Sequence, residues 1–278
     1  MKHLLFFTLI LSLFSVNAIA QTKTSAKKKT TQINYKKLKA VIVLGPVDKE
    51  FDESKKEDRL RVAAFLRSKG VKVYEFYPPN DNWEKIKLAC KGAHIFIYSG
   101  HGSIEGINYP SGGLCLTKDI YSAREIVDNL KFHKNALVIF NSACNSAGAS
   151  AWDNGGITKK EAMKRIEEYA LPFYKLKAGA YYANNYDQSV LPFLKEFFLK
   201  EKAIDIYKRQ ASMWQHVDPF SKYSYDKSYY ASVAGNMAAS NNKSTKNKSK
   251  AATKEVNKEY NAAFVGRPNF TVLDFFKQ

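Results

Sequence analysis

Apolar runs of strand length alternate with helical segments through the middle of the chain. Six runs stand out, and the last two are looser than the first four: residues 39–44, 71–77, 93–98, 136–140, 178–183 and 229–234. Capping pairs indicate helix starts between them, namely Ser54 with Glu57, Asp81 with Glu84, Ser122 with Glu125 and Thr158 with Glu161. Apolar strands separated by helices predict an α/β fold, a three-layer αβα sandwich around a mostly parallel central sheet of about six strands.

The beginning of the chain has a different composition from this middle part. It has Lys2, an apolar run from Leu4 to Val16 and the small residues Ala18 and Ala20, which is the pattern of a cleaved secretory signal peptide. A membrane anchor is the alternative, but this run of 13 residues is shorter than the roughly 20 that span a bilayer. We therefore expect a secreted or periplasmic protein without a transmembrane anchor.

Much of the net charge of +18 lies in two Lys-rich tails. Residues 21–39 hold seven Lys and no acid, and residues 241–258 hold six Lys and one Glu. Both tails have few large apolar side chains, so they cannot bury enough surface to offset the entropy of ordering. We expect disordered flanks that are either solvated linkers or attachments to an anionic surface, and no specific nucleic-acid binding.

These features divide the chain into five parts. We expect a signal peptide, a Lys-rich disordered segment, a folded domain, a linker rich in Lys, Asn and Ser, and a C-terminal segment, at residues 1–20, 21–38, 39–240, 241–258 and 259–278 respectively. The apolar and aromatic residues of the last part suggest a docking segment or a return onto the core. The oligomeric state is left open.

A His and a Cys each follow the carboxyl end of an apolar run. The third run leads into His101 and Gly102, and the fourth leads into Cys144, which small residues surround. A crossover with one helix joins these two strands, and right-handed crossovers put such strands next to each other or nearly so. Because open parallel sheets react at the carboxyl ends of their strands, we expect the imidazole and the thiol to approach each other there.

This pair has the chemistry of a thiol nucleophile and its proton acceptor. An imidazole can take the thiol proton and later protonate the leaving amine. Gly102, which has no Cβ, can approach a substrate carbonyl closely, and its amide N–H with that of Cys144 could form an oxyanion hole. Taken alone, a Cys after an apolar strand is more often a small buried hydrophobe than a nucleophile.

At these residues the chain resembles the caspase-like (clan CD) cysteine peptidases. The shared features are an apolar strand that ends in His-Gly and a second that ends in a small residue and then Cys, matched here by residues 95–102 and 137–144. Residues 143–147, Ala-Cys-Asn-Ser-Ala, look most like bacterial CHAT domains, and metacaspases are similar too. The resemblance implies a caspase-like sandwich and a cysteine endopeptidase that cleaves proteins or peptides with a His101–Cys144 dyad.

One position departs from these relatives. Metacaspases that cut after Lys or Arg have an Asp two residues before the nucleophile, and Ser142 stands there in this chain. The resemblance also implies a first specificity pocket formed by that position and by the loops after the first strand and after the strand that follows the nucleophile. Asp48, Ser142 and Asp187 are therefore candidate substrate-binding residues. Either Asp could favour a cationic side chain, although a solvated loop Asp is the commoner case.

No other motif indicates a second chemistry. The Gly residues from Gly100 to Gly106 lack the spacing of a nucleotide loop, and Cys90 and Cys115 lack metal-ligand spacing. We expect no metal and no cofactor, and we leave open whether these two Cys form a disulfide. The competing hypothesis is a catalytically inactive caspase-like peptide-binding module, attached to an anionic surface by its Lys-rich tails.

Overall fold

The computed structural model describes most of the chain. It covers residues 33–102, 112–153, 156–185, 188–237 and 257–277, without the side chains of Glu50 and Phe51. The predicted signal peptide, most of both Lys-rich tails and the candidate Asp187 lie outside the described residues.

Strands and helices alternate through the first two thirds of the chain, as the sequence predicts. The strands are β1 (Lys39–Leu44), β2 (Lys72–Phe76), β3 (Ala93–Ser99), β4 (Gly113–Cys115), β5 (Ile120–Ser122), β6 (Phe132–Asn141), β7 (Ala180–Asn184), β8 (His216–Val217), β9 (Ser221–Lys222), β10 (Tyr230–Met237) and β11 (Lys258–Gly266). The α-helices are α1 (Lys49–Ser68), α2 (Trp83–Cys90), α3 (Ala123–Asn129), α4 (Lys159–Lys175), α5 (Leu191–Phe197) and α6 (Ala203–Ser212).

The main sheet is parallel on one side and antiparallel on the other. Its strand order is β2-β1-β3-β6-β7-β11-β10-β8, and β9 pairs with β10. The first five strands are parallel, whereas β11 runs antiparallel to both β7 and β10. This topology confirms the predicted α/β class with a mostly parallel central sheet. It adds β11 and the two short strands β8 and β9 to the six strands expected.

Each face of the sheet has its own apolar core. Helices α2, α3 and α4 contribute to one core, which takes Val41 and Val43 from β1. Helices α1, α5 and α6 contribute to the other, which takes Ala40 and Ile42 from the same strand. Alternate residues of one strand therefore enter different cores, and this explains the continuous apolar run of β1.

Two of the four predicted helix starts are confirmed and two differ. Ser122 and Glu125 form the expected reciprocal capping box, and Thr158 caps α4. Helix α1 begins at Lys49, before Ser54, because the polar residues ahead of Ser54 continue the helix. The cap of α2 is Asn82, whose side chain accepts from Lys85 N, while Asp81 accepts from the amide of Thr117 at 2.6 Å.

Both flanking segments contribute residues to the fold. Tyr35–Lys37 form a 3-10 helix in which Tyr35 packs against Phe198 with 5.1 Å between the ring centroids, so the last residues of the Lys-rich segment are ordered. At the other end, β11 lies inside the sheet, and the 3-10 helix Val272–Phe276 buries Phe275 at the base of β6. The C-terminal segment thus returns onto the core. None of the described helices is long and apolar enough to cross a membrane.

A stacked pair of His side chains lies near the amino-terminal ends of β3 and β6. The rings of His94 and His133 are 4.2 Å apart between centroids, and Nδ1 of His94 accepts from the amide of Lys39 at 3.2 Å. Burial, with the charges of His133 and Lys39, lowers the pKa of His94 to about 4. The folded protein therefore holds His94 neutral at pH values where an unfolded chain would protonate it.

We expect acid to weaken the fold through His94. In the unfolded chain the His94 imidazole has a pKa near 6.5, so it is protonated at a higher pH than in the folded protein, where its pKa is about 4. Acid therefore favours the unfolded chain, and the stability present above pH 6.5 is lost as the pH falls towards about 4. Partial contact with solvent limits this loss to about 1–2 kcal/mol. Urea unfolding at pH 7 and pH 4.5 should show a smaller acid loss for His94→Gln than for wild type. The exposed His216→Gln is the control, and equal losses in all three proteins would refute the assignment.

Candidate active site

Four strands end at the same level at one edge of the sheet. Their register sets Leu44 of β1 beside Ser99 of β3, Ser99 beside Asn141 of β6, and Asn141 beside Asn184 of β7. His101 follows β3 by two residues, and Cys144 follows β6 by three. Because β3 and β6 are direct parallel neighbours, the two candidate residues leave the sheet side by side, as the crossover predicts.

The backbone of Gly102 lies directly against the backbone of Cys144. A Cβ added to Gly102 would be 2.6 Å from the nitrogen and 2.7 Å from the carbonyl carbon of Cys144. Only a residue without a side chain allows this approach. Within the described part of the chain, neither of these two amide N–H groups donates to a backbone carbonyl. The two amides therefore belong to backbones in close contact, with Gly102 buried and Cys144 half-buried.

A buried tyrosine holds the loop that carries His101. The Tyr98 hydroxyl accepts from the Cys115 amide at 3.1 Å, and its single proton can be donated to the carbonyl of His101 at 2.8 Å or to that of Cys115 at 3.0 Å. Burial raises the pKa of Tyr98 well above its usual value, so the hydroxyl stays a donor. The loop after β3 is thus fixed to the hairpin of β4 and β5.

The His101 imidazole is open to solvent on the side that faces α1. Its Nε2 lies 4.0 Å from Oδ1 of Asp48, and the two side chains are 53% and 72% exposed. Charges this exposed attract each other weakly. Asp48, a predicted substrate-binding residue, therefore lies next to His101 and does not line the cavity beside Cys144.

Cys144 lies in a tight turn that starts at the end of β6. Ser142 and Asn145 on either side of it have φ values of 59° and 66°, in the left-handed region that non-glycine residues rarely adopt. The turn is held by Ser142 N donating to Asn184 O at 2.7 Å and by Asn145 N donating to Ala149 O at 2.8 Å. Cys144 itself is half-buried, so its thiol is accessible within a rigid frame.

Polar side chains of α1 and β7 form a network of contacts that supports this turn. The buried Arg59 donates to Oδ1 of Asn141 at 3.0 Å, and Asn141 in turn donates to Asn184. The ammonium group of Lys55 is 2.6 Å from Oγ of Ser142. Lys55 and Arg59 could not be predicted as part of the site, because the sequence of a polar helix does not show which of its charged side chains will be buried.

The three cysteines are free thiols in different surroundings. Burial raises the pKa of Cys90 and of Cys115, and the nearby Cys144 raises that of Cys115 further. Cys90 and Cys115 are both buried. Cys144 is the thiol best placed to meet a substrate.

A cavity of about 360 Å³ opens beside Cys144. Ser142 and Cys144 form one side, residues 149–151 with Asp153 form the second, and Asn185, Glu259 and Asn261 form the third. Of these residues, the sequence predicts Ser142, Cys144 and the loop after β7 that holds Asn185. Glu259 and Asn261 could have been found only by placing the apolar run after them as a strand next to β7.

No metal centre accompanies these residues in the described part of the chain, where no group of three His, Cys, Asp or Glu side chains could hold an ion.

Comparisons with known proteins found distant likeness among solved structures alone. No family model matches the chain, and no curated protein matches it. Among solved structures, the separase–securin complex of Saccharomyces cerevisiae is similar to this chain, with 13% sequence identity and a TM-score of 0.38 over 64% of this chain. The match spans only 11% of the separase-complex chain. The fold class therefore rests on the topology of the chain itself.

Proposed function

We propose that this protein is an exported cysteine endopeptidase of caspase-like fold, in which Cys144 is the nucleophile and His101 the proton carrier. The observation that carries the proposal is the contact between the backbones of Gly102 and Cys144 at the aligned ends of β3 and β6. This contact puts an imidazole-bearing loop, an accessible thiol and two amide donors within one small region.

The reaction follows from these groups. The Cys144 thiol gives its proton to the His101 imidazole while sulfur attacks the peptide carbonyl carbon. The carbonyl oxygen becomes an oxyanion, which the amide N–H groups of Gly102 and Cys144 stabilise. The C–N bond breaks as the imidazolium protonates the leaving amine, and water activated by the same imidazole hydrolyses the thioester.

Further parts of the proposal come from the sequence. The substrate is a protein or a peptide, residues 1–20 direct export to the periplasm or the exterior, and no cofactor or specific nucleic acid takes part. The Lys-rich tails contact an anionic surface or serve as solvated linkers. The closer likeness to CHAT domains comes from residues 143–147.

A thiol-directed peptide probe tests the proposal. A peptidyl chloromethyl ketone should add one label per chain, located on Cys144 by peptide mass spectrometry, and His101→Ala should label more slowly. Cys115→Ala is the matched control and should label as wild type does, because Cys115 is buried. An unlabelled Cys144 in a protein that still binds the free peptide would refute the peptidase and support the inactive binding module.

A further inference from the structure

The charged residues that line the cavity beside Cys144 are all acidic. Two acidic residues, Asp153 and Glu259, line it, and no Lys, Arg or His is among the described residues that do so. A polar cavity of about 360 Å³ is at the small end of the range for ligand sites, which suits one long side chain of a substrate.

The two acids differ in what neutralises them. The Asp153 carboxylate is 2.7 Å from Nη1 of Arg165 and also accepts from the amide of Ser150. Its negative charge is therefore balanced by the Arg165 guanidinium, and the carboxylate stabilises the loop at residues 150–153. Glu259 is exposed and forms no ion pair within the described residues, and its neighbour Lys258 binds Asp218 at 3.0 Å. Glu259 is therefore the acid whose charge is available in the cavity.

The backbone on both sides of Glu259 is fixed to the cavity walls. Lys258 exchanges two backbone hydrogen bonds with Ile157, at 2.9 and 3.0 Å, and the carbonyl of Tyr260 accepts from Ala149 at 2.7 Å. On the opposite side, the amide of Asn185 donates to the carbonyl of Asn261 at 2.8 Å. These bonds hold Glu259 in place beside the turn that carries Cys144, so little ordering is needed on binding.

We infer that Glu259 makes this cavity a binding pocket for a Lys or Arg side chain of the substrate. The carboxylate forms a charge-assisted contact with the cation, and the backbone of the bound segment lies within reach of Cys144. The charge that selects the substrate side chain is that of Glu259 on β11. It is supplied neither by Ser142 nor by the loop after β1. This pocket rests on the proposed peptidase function for its biological meaning, but a measurement of peptide binding tests it without any cleavage.

The experiment measures binding with a matched peptide pair. The peptide Gly-Ala-Ala-Lys-Ala-Gly-amide with fluorescein on its N-terminal amine, and its norleucine analogue labelled in the same way, differ only in the ammonium group at one position. Fluorescence polarisation with the Cys144→Ala protein should give about 10-fold tighter binding of the Lys peptide. Glu259→Gln in the same background should remove that difference, whereas Glu84→Gln, an exposed acid on α2, should keep it.

The outcomes separate the pocket from the peptidase. Equal or undetectable binding of both peptides, or a Lys preference that survives Glu259→Gln in a protein that still folds, overturns the pocket. Cleavage of the norleucine peptide by wild type as fast as the Lys peptide would also overturn the pocket while leaving the peptidase intact. Selective Lys binding by a wild-type protein that cleaves neither peptide would uphold the pocket and refute the peptidase.

Discussion

Cys144→Ala should reduce peptide cleavage to the uncatalysed background, and His101→Ala should reduce kcat/KM by about 10²–10⁴-fold. The first change removes the attacking sulfur, and the second removes the group that carries its proton to the leaving amine. Because the two groups act as a unit, the double variant should be scarcely slower than Cys144→Ala. Steady-state assays with a fluorogenic peptide on the three variants check these values.

Stability provides the control for these variants. Cys144 is half-buried and the His101 side chain is 53% exposed, so neither fills much of a core, and urea midpoints should change little. Tyr225→Phe, at an exposed residue remote in sequence from both loops, should leave the activity unchanged. Full activity in Cys144→Ala, or unfolding of that variant, would mean that Cys144 is a packing residue.

Gly102→Ala should have the next largest effect. The new methyl group would collide with the main chain of Cys144, which no side-chain rotation can relieve, so one of the two loops must shift. A displacement of about 1 Å at a reacting group costs about 100-fold in rate. We therefore expect kcat/KM to fall about 100-fold while the free energy of unfolding falls by about 1–3 kcal/mol.

Gly92→Ala is the matched control for that variant. Gly92 precedes the amino-terminal end of β3, far along the strand from the site, and a Cβ there would meet nothing within 4 Å. Its φ of 69° predicts a modest loss of stability without loss of activity. Wild-type activity in Gly102→Ala would show that the close approach of the Gly102 and Cys144 backbones is not needed for the reaction.

Much of the sheet could be predicted because its parallel strands are buried on both faces. The runs at 39–44, 93–98 and 136–140 match β1, β3 and the apolar end of β6 almost residue for residue. The apolar runs also indicated the position of the candidate site, because the loops that carry His101 and Cys144 follow the ends of two of these strands. Local patterns of this kind need no knowledge of distant residues.

The antiparallel side of the sheet could not be predicted in the same way. Strand β11 lies between β7 and β10 although it follows both in sequence, and a short apolar run does not reveal its pairing partners. For the same reason the sequence analysis missed Glu259. The Arg59–Asn141 contact joins residues 82 positions apart, and it too depends on a placement that only the folded chain supplies.

The position of β11 also decides when the fold can be completed during synthesis. Strands β1 to β7 leave the ribosome before β10, yet in the sheet formed by the described residues β10 is connected to them through β11, which is made later still. Until β11 arrives, β7 and β10 each have an unpaired edge, and such edges favour association between nascent chains. A product that stops before residue 258 would keep both edges open and lack a wall of the cavity beside Cys144, so incomplete chains would aggregate or be degraded instead of acting.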